Sequence, residues 1–236
     1  MVGLIDEVSA MTISLDRQII YPDSDGKPMA DNTKQFRWIV LLKENLDCLF
    51  ESAPYVFVAG DLLWYPVEGH PEIRVAPDVM VAFGRPKGDR GSYKQWEEKN
   101  IAPQVVFEVL SPGNTTKEMA KKQAFYDQYG VEEYYIYDPD GHEYTALCRS
   151  GDRLVVIDAE NWVSPRLGVR FVLGMEALEV YYPDGRRFLT TVELAARAEQ
   201  EAARAEREAA RAEREATRAD RLATLLRELG IDPDKV

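Results

Sequence analysis

Two acidic residues lie where the surrounding sequence makes a carboxylate costly. Asp78 follows Pro77 at the start of the apolar run Val79–Val81, and Glu108 lies inside the otherwise apolar run Val105–Leu110. A strand this apolar is usually buried on both faces, so an ionised side chain there needs a cation or hydrogen bonds to compensate it. Carboxylates that converge in such a place are ligands for a hard divalent cation. The ordinary alternatives are an ion pair or a solvent-facing strand end for Glu108, and a simple strand-entry role for Asp78.

A lysine-rich helix is predicted directly after the Glu108 strand, from about residue 115 to 129. Glu118, Lys122 and Tyr126 follow each other at i, i+4 spacing and therefore share one face of that helix. Because the connection to the strand is short, the first helical turns must pack near the carboxylates. Two carboxylates and an ammonium group are what metal-assisted cleavage of a phosphodiester requires. The alternative is a capping role for Glu118 and solvated lysines.

Periodicity and turn residues indicate the elements that would position these side chains. Asn32 and Thr33 open an amphipathic helix that runs to about Phe50, with Gln35 placed for a capping-box contact, and Gly130 ends the second helix. Strand-like runs are predicted at 55–59, 77–83, 104–110, 133–138, 153–158 and 178–182. This order favours an α/β or α+β body over a doubly wound nucleotide-binding fold, since no Gly-rich phosphate loop occurs.

The C-terminal part of the chain repeats every seven residues from Leu194 to Leu229. Its alanines alternate at steps of four and three, which produces one continuous seam along a helix. Two interpretations stay open: a solitary helix with a solvated charged surface, or a coiled coil through which the protein forms a homodimer or higher homo-oligomer. The predicted division is a body at 1–191, the heptad helix at 192–230 and a flexible C-terminus at 231–236.

Composition excludes several classes of protein. The chain has 236 residues, 45% of them hydrophobic, and a formal net charge of −12, which permits a sizeable core and argues against coating nucleic acid or an anionic membrane through bulk charge. With only Cys48, Cys148, His70 and His142, a metal centre must rest mainly on carboxylates. We expect no membrane partner and a cytoplasmic location, because no run approaches ~18 apolar residues and no leader peptide is recognisable.

The residues that carry chemistry also resemble a known family. The Uma-two family is similar to this chain in several segments: Pro77-Asp78, Glu108 on its apolar strand, Leu110–Gly113, Lys122–Tyr126 and Gly130–Pro139. The resemblance covers roughly residues 15–190. That family is grouped with restriction endonucleases that share a Pro-Asp … (Asp/Glu)-x-Lys signature. The resemblance implies a restriction-endonuclease-like core, in which helices flank a mixed central β-sheet, here followed by a long C-terminal helix or coiled coil.

The resemblance also implies a site for Mg²⁺ or Mn²⁺. Asp78 and Glu108 are expected to be metal ligands, with the carbonyl oxygen of Val109 as a third contact. The signature lysine would stand at position 110, which is leucine in this chain. Lys122 is therefore expected to supply the catalytic lysine from the helix, and Glu118 occupies the acidic position four residues before it.

A basic loop after the Asp78 strand is the predicted phosphate contact. It contains Arg85, Lys87, Arg90 and Lys94, and Tyr126 is expected to join the first three in binding substrate. The alternative for this loop is a mobile surface connection. Three functions stay open: a metal-dependent DNA endonuclease acting as a homodimer, a degenerate nuclease fold that binds nucleic acid or protein without cutting, and an assembly protein whose tail is the functional part.

Overall fold

The computed structural model describes residues 19–24, 26, 28 and 30–230, and every element below lies among them. The helices are α1 (Thr33–Leu49), α2 (Thr116–Gln128) and α3 (Thr191–Glu228). The strands are β1 (Val56–Gly60), β2 (Trp64–Tyr65), β3 (Val79–Phe83), β4 (Tyr93–Lys94), β5 (Val105–Val109), β6 (Glu133–Asp138), β7 (Glu143–Ser150), β8 (Arg153–Ile157), β9 (Arg170–Leu173) and β10 (Leu178–Tyr181).

The centre of the fold is a six-stranded mixed sheet in the order β1-β3-β5-β6-β7-β8. β5 and β6 pair in parallel, whereas the other neighbours pair antiparallel. A parallel pair requires a crossover connection, and α2 supplies it. The short strands form two further sheets, β2 with β4 and β9 with β10. The predicted α+β architecture, with helices on a mixed central sheet and a long C-terminal helix, is confirmed.

Two apolar clusters cover opposite faces of the central sheet. On one face Leu46 of α1 belongs to the same cluster as Phe107 of β5. On the other face Tyr126 of α2 belongs to the same cluster as Val106. Because successive side chains of a strand point to opposite faces, Glu108 projects on the same face as Val106, toward α2.

Local sequence determines where α1 and α2 begin and end. The side chain of Asn32 caps α1 by accepting from the amide of Gln35 at 2.9 Å, and Thr115 caps α2 by accepting from the amide of Glu118 at 3.2 Å. Both caps satisfy amides that have no partner within the first helical turn. After α2 the chain turns at Gly130, whose φ of 90° suits glycine. These boundaries agree with the sequence prediction to within about two residues.

Four strands of the fold were not predicted. β7 lies between β6 and β8 in the sheet, yet its sequence Glu-Tyr-Thr-Ala-Leu-Cys-Arg-Ser has an apolar run of only three residues, Ala-Leu-Cys. Its strand conformation comes from pairing on both sides, which overrides weak local propensity. β2, β4 and β9 are two to four residues long, too short for periodicity to reveal.

α3 is a 38-residue helix that buries none of its residues. It begins with a capping box between Thr190 and Glu193. Along it the ion pairs Arg197–Glu201, Arg204–Glu208 and Arg211–Glu215 repeat at i, i+4 spacing. The helix starts at Thr191, and the division of the chain into a body at 1–191 and a heptad helix at 192–230 stays a prediction. The predicted flexible segment 231–236 lies outside the described residues. None of the helices described here has the length and apolarity needed to cross a membrane.

Candidate active site

Asp78 and Glu108 lie side by side on adjacent strands. β3 and β5 pair antiparallel with Val79 opposite Phe107, so the next position along this register sets Asp78 opposite Glu108 on the same face. The Oδ2 atom of Asp78 accepts from the backbone amide of Val109 at 2.7 Å. The exposed fractions are only 7% for Asp78 and 2% for Glu108. The two acids that the sequence singles out therefore converge in a buried place.

α2 supplies partners for both oxygens of Glu108. The Nζ atom of Lys122 donates to Oε2 at 2.7 Å, and the Tyr126 hydroxyl donates to Oε1 at 2.5 Å. Glu118, one turn before Lys122, lies in the cleft beside them. The shared face of Glu118, Lys122 and Tyr126 is thus turned toward the carboxylates, as the i, i+4 spacing predicted.

The carboxylates of this cluster are hard to ionise. Burial, reinforced by the charge of Glu108, raises the pKa of Asp78 well above its usual range, although Lys122 and the Val109 amide act in the opposite direction. Burial also raises the pKa of Glu108, although Lys122 and Tyr126 oppose it. Neighbouring carboxylates that disfavour each other's charge provide a place where an added cation is stabilised.

The two donors to Glu108 are held in the protonated state. Burial by itself lowers the pKa of Lys122, but the charges of Glu108, Asp78 and Glu118 outweigh it and the pKa is raised. For Tyr126, burial and the charge of Glu108 raise the pKa well above its ordinary value. The lysine is therefore an ammonium ion and the tyrosine a neutral hydroxyl donor at neutral pH.

The carbonyl of Val109, the predicted third contact, is reached from the other face of the sheet. The Nε2 atom of Gln35 in α1 donates to it at 2.8 Å. The Oε1 atom of Gln35 accepts from the amide of Asp31 at 2.8 Å. The predicted capping box, in which Gln35 would bind the amide of Asn32, is therefore wrong. Instead this buried side chain connects α1 to the strand that carries Glu108.

The donor set suits a hard divalent cation. Mg²⁺ is usually held by one or two carboxylates and keeps several of its waters. Within the described part of the chain no three side chains from His, Cys, Asp and Glu are grouped closely enough to form a metal cluster. Asp78, Glu108 and the carbonyl of Val109 would hold such a cation with water completing its shell. Asp61 is a nearby acid whose charge also raises the pKa of Asp78.

The cluster opens into a cleft of about 1180 Å³. One wall includes Pro28, Ala30 and Asp31, which precede α1. Asp31 is held there by accepting from the Ser111 hydroxyl at 2.5 Å. Gly113 lies against the same carboxylate, and a Cβ atom there would be 2.8 Å from Oδ2 of Asp31. A side chain at position 113 would therefore have to displace the Asp31 carboxylate. The polar side chains in the cleft include Asp31, Asp61, Glu72, Arg74, Glu118 and Lys121.

In the predicted basic loop, Arg85 and Arg90 are bound by a nearby acid, Glu98. The Nε atoms of Arg85 and Arg90 donate to Glu98 at 2.7 and 2.6 Å, and the guanidinium of Arg90 lies 3.9 Å from the centre of the Phe57 ring. Lys87 is exposed. The lining of the cleft, within the described residues, includes neither these arginines nor Lys87. The structure therefore does not bring this loop together with Asp78 and Glu108.

Tyr126 was also predicted to contact substrate. Its side chain is fully buried and its hydroxyl is bound to Glu108. In this geometry Tyr126 positions the carboxylate and does not face the cleft opening. Its location on the face of α2 that is turned toward Glu108 was predicted, but its depth in the core depends on packing against Trp64, 62 positions earlier in the chain, and against Tyr134 of β6.

Several residues of the site have only weak signals in the sequence. Lys121 and Phe125 line the cleft on α2, and their i, i+4 spacing could have identified them. Arg74 stands four residues before Asp78, whereas Asp61 follows β1 with a positive φ of 47°. Gln35 reaches Val109 across 74 positions of sequence, which no local pattern predicts.

Comparisons with known proteins give the following matches. The model of the Uma2 family, described as "Putative restriction endonuclease", matches residues 25–177. A crystal structure described as a "putative nuclease belonging to DUF820" from Anabaena variabilis is 16% identical, covers 59% of this chain and 74% of its own, and has a TM-score of 0.43. A search of curated proteins found no match.

Proposed function

This chain belongs to the Uma2 family, and from that premise we propose that it is a divalent-metal-dependent nuclease that hydrolyses DNA phosphodiester bonds. One observation carries the proposal: two buried carboxylates, Asp78 and Glu108, lie opposite each other in the sheet, and the ammonium group of Lys122 is 2.7 Å from one of them. Opposed acids beside a fixed cation suit the binding of a metal and of a negatively charged phosphate.

The residues have distinct roles in this proposal. Mg²⁺ or Mn²⁺ bound by Asp78, Glu108 and the carbonyl of Val109 would neutralise charge on the phosphate and lower the pKa of a bound water. Lys122 uses one of its three N–H donors on Glu108. In this proposal its remaining donors serve the attacking water or a phosphate oxygen. Glu118 lies on the cleft side of the same helical face, where it can accept a proton from water.

Two structural contacts support these roles. Tyr126 fixes the second oxygen of Glu108, so that the carboxylate cannot rotate freely. Gln35 fixes the carbonyl of Val109 from the opposite face of the sheet. Such supporting bonds keep ligating atoms in position before a metal or substrate arrives.

The test is cleavage of DNA, offered both as supercoiled plasmid and as circular single strands. Purified protein should cut at least one of these substrates with Mg²⁺ or Mn²⁺, and not in EDTA. Asp78→Asn protein should be inactive under the same conditions. Cleavage that persists in EDTA, or that is unchanged in the variant, would show that another site or a contaminant is responsible.

A non-catalytic module is the second candidate function. Position 110, where the superfamily signature has lysine, is leucine, and the substitute Lys122 is engaged in an ion pair with Glu108. In that case the protein binds nucleic acid or another protein without cutting and assembles through α3. Binding of DNA without cleavage of either substrate would favour this alternative. In both candidates we propose a homodimer held by the alanine seam of α3.

A further inference from the structure

α2 carries a second row of side chains that the proposed chemistry does not use. Lys121 and Phe125 are four residues apart, so they are neighbours on the helix surface, and both line the cleft. Lys121 is exposed and Phe125 is partly exposed. Lys122, by contrast, is committed to Glu108. We call Lys121 and Phe125 the substrate row.

A second cation faces the same cleft from a different element. Arg74 lies in the segment before β3 and lines the cleft. Its Nη1 atom donates to the backbone carbonyl of Pro71 at 3.0 Å. A guanidinium has five N–H donors, so this bond leaves its charge and most of its donors for an anionic ligand. The cleft thus has a cation on each of two elements, in addition to the catalytic lysine.

The Phe125 ring is held firmly by other aromatic side chains. It packs edge-on against Trp64 with centroids 5.4 Å apart, and against Tyr129 at 4.6 Å. Trp64 is itself fixed, because its Nε1 atom donates to Gln95 at 3.0 Å. A ring fixed in this way presents its free surface to the cleft without further loss of side-chain entropy.

A fixed ring beside a cation matches the chemistry of an unpaired nucleic-acid strand. Proteins bind single strands by placing cations along the backbone and stacking bases on aromatic side chains. In a duplex the faces of each base are covered by neighbouring base pairs, so a ring in a protein wall can stack only on a base that has left the duplex. A ring in the position of Phe125 therefore suits an unpaired base and not a paired one.

The acidic residues of the cleft also favour a single strand over a duplex. Asp31, Asp61 and Glu72 line it together with Glu118. Duplex DNA carries one negative charge per ≈ 1.7 Å of its axis, twice the density of either strand alone. These carboxylates repel a duplex, with its second backbone, more strongly than they repel a single strand. The phosphates of a single strand can lie along the cations of the cleft.

We propose that this cleft binds an unpaired DNA strand, with its phosphates on Lys121 and Arg74 and one base stacked on Phe125. The inference rests on the proposed function for the nature of the ligand, a nucleic acid. It adds that the substrate is single-stranded, and it names three residues that select a single strand.

The experiment measures binding without cleavage. Full-length protein in EDTA is titrated against a short fluorescein-labelled DNA strand, and separately against the duplex of the same sequence, with fluorescence anisotropy as the readout. The single strand should bind about tenfold more tightly than the duplex or better. Equal affinities, tighter binding of the duplex, or no measurable binding of the strand would overturn the proposal.

Variants assign that preference to the substrate row. Phe125→Leu keeps most of the apolar volume but removes the stacking surface, so strand affinity should fall about fivefold or more, and Phe125→Tyr should restore it. Tyr55→Leu, at an aromatic residue that is 66% exposed and outside the cleft lining, is the matched control and should bind normally. Strand affinity that is unchanged in Phe125→Leu, with a normal melting temperature, would refute the stacking role.

The roles of the two cations are tested by alanine variants with a matched control. Lys121→Ala and Arg74→Ala should each weaken strand binding and reduce its dependence on salt, whereas Lys117→Ala, an exposed lysine of the same helix outside the cleft lining, should change neither. Equal effects of Lys121→Ala and Lys117→Ala would contradict the assignment. Since no divalent cation is present, these results are separate from cleavage. If the protein binds the single strand but cleaves no DNA, only the catalytic proposal is refuted. If it cleaves DNA but does not prefer the single strand, only the proposal of single-strand binding is refuted.

Discussion

The two oxygens of Glu108 bind different partners, Oε2 the ammonium of Lys122 and Oε1 the hydroxyl of Tyr126. Removing this side chain would leave a largely buried ammonium and a buried hydroxyl without their acceptor. Breaking a buried pair in this way typically costs about 3–5 kcal/mol. A substitution of Glu108 would therefore change both metal binding and the stability of the fold. Asp78 is the better residue for a test of metal binding.

Asp78→Asn should remove the response of the protein to metal. The amide oxygen of asparagine can still accept from the Val109 amide, while the negative charge beside Glu108 disappears. Mg²⁺ or Mn²⁺ should raise the Tm of the wild type, because a ligand that binds only the folded state stabilises it. The variant should show no such rise, and without metal its Tm should equal or exceed that of the wild type. Calorimetry with each metal measures both, and identical rises in the two proteins would contradict the assignment of Asp78.

Lys122→Ala should slow cleavage by about a hundredfold or more, which is the effect of removing one preorganised donor from an active site. Lys117→Ala, on the exposed side of the same helix, should leave kcat unchanged. Rates are compared well below the Tm of each variant, because Lys122→Ala leaves Glu108 without its cation. The rise of Tm with Mg²⁺ should persist in both variants. Similar rates in the two would mean that Lys122 has no catalytic role.

At the scale of elements, the connection from β3 to β5, which contains β4, is stabilised by one buried network. Glu98 accepts from Arg85 and Arg90, and the guanidinium of Arg90 covers the ring of Phe57 on β1. Burial alone would raise the pKa of Glu98, but the hydrogen bonds and charges of the two arginines outweigh it and lower the pKa below its ordinary value of 4.5. The network therefore ties the loop to the sheet as long as Glu98 is ionised.

This network makes part of the stability depend on pH. A carboxyl group with a lower pKa in the folded state than in the unfolded state stabilises the fold above the unfolded pKa, here 4.5, and this contribution is lost as the pH falls through the folded pKa. Glu98→Gln should be less stable than the wild type at neutral pH, and the difference should shrink below about pH 4.5. Urea unfolding over this pH range measures it. A difference that stays constant or grows toward acid would argue against an ionised Glu98.

The elements show which features a sequence can predict. Asp78, Glu108 and Lys122 were found because burial and i, i+4 spacing act on neighbouring positions, and these rules hold in the fold. The pairing of Arg85 with Glu98 joins positions 13 apart without a regular spacing, so the sequence predicts a phosphate-binding loop where the structure has an internal ion pair. β7 was missed for a similar reason, because its conformation is imposed by the strands on both sides.

At the scale of the whole molecule, the proposed dimer seam on α3 carries like charges on both sides. Ala198, Ala202 and Ala205 belong to the seam, and Glu199 and Glu201 flank it. Residues that flank a coiled-coil seam face the flanking residues of the partner helix. Two copies would therefore set glutamates against glutamates in either orientation.

Self-association should accordingly strengthen with salt, because about 1 M salt shortens the Debye length to ~3 Å and screens this repulsion. A chain that ends after Thr191 should remain folded and keep its response to Mg²⁺, since α3 buries none of its residues, but should no longer self-associate. Light scattering at low and high salt measures both effects. Dimers of the full chain that dissociate at high salt, or dimers that survive the truncation, would show that the contact lies elsewhere.

The length of α3 determines how far its C-terminal end lies from its start. At 1.5 Å per residue its 38 residues extend for about 57 Å. The capping box at Thr190 and the regular ion pairs keep it helical without support from the body. An exposed helix of this length sets Leu225 and Leu229, both exposed, more than about 50 Å along its axis from Thr191. A partner that bound these two leucines would therefore be kept away from the body of the protein by the length of the helix.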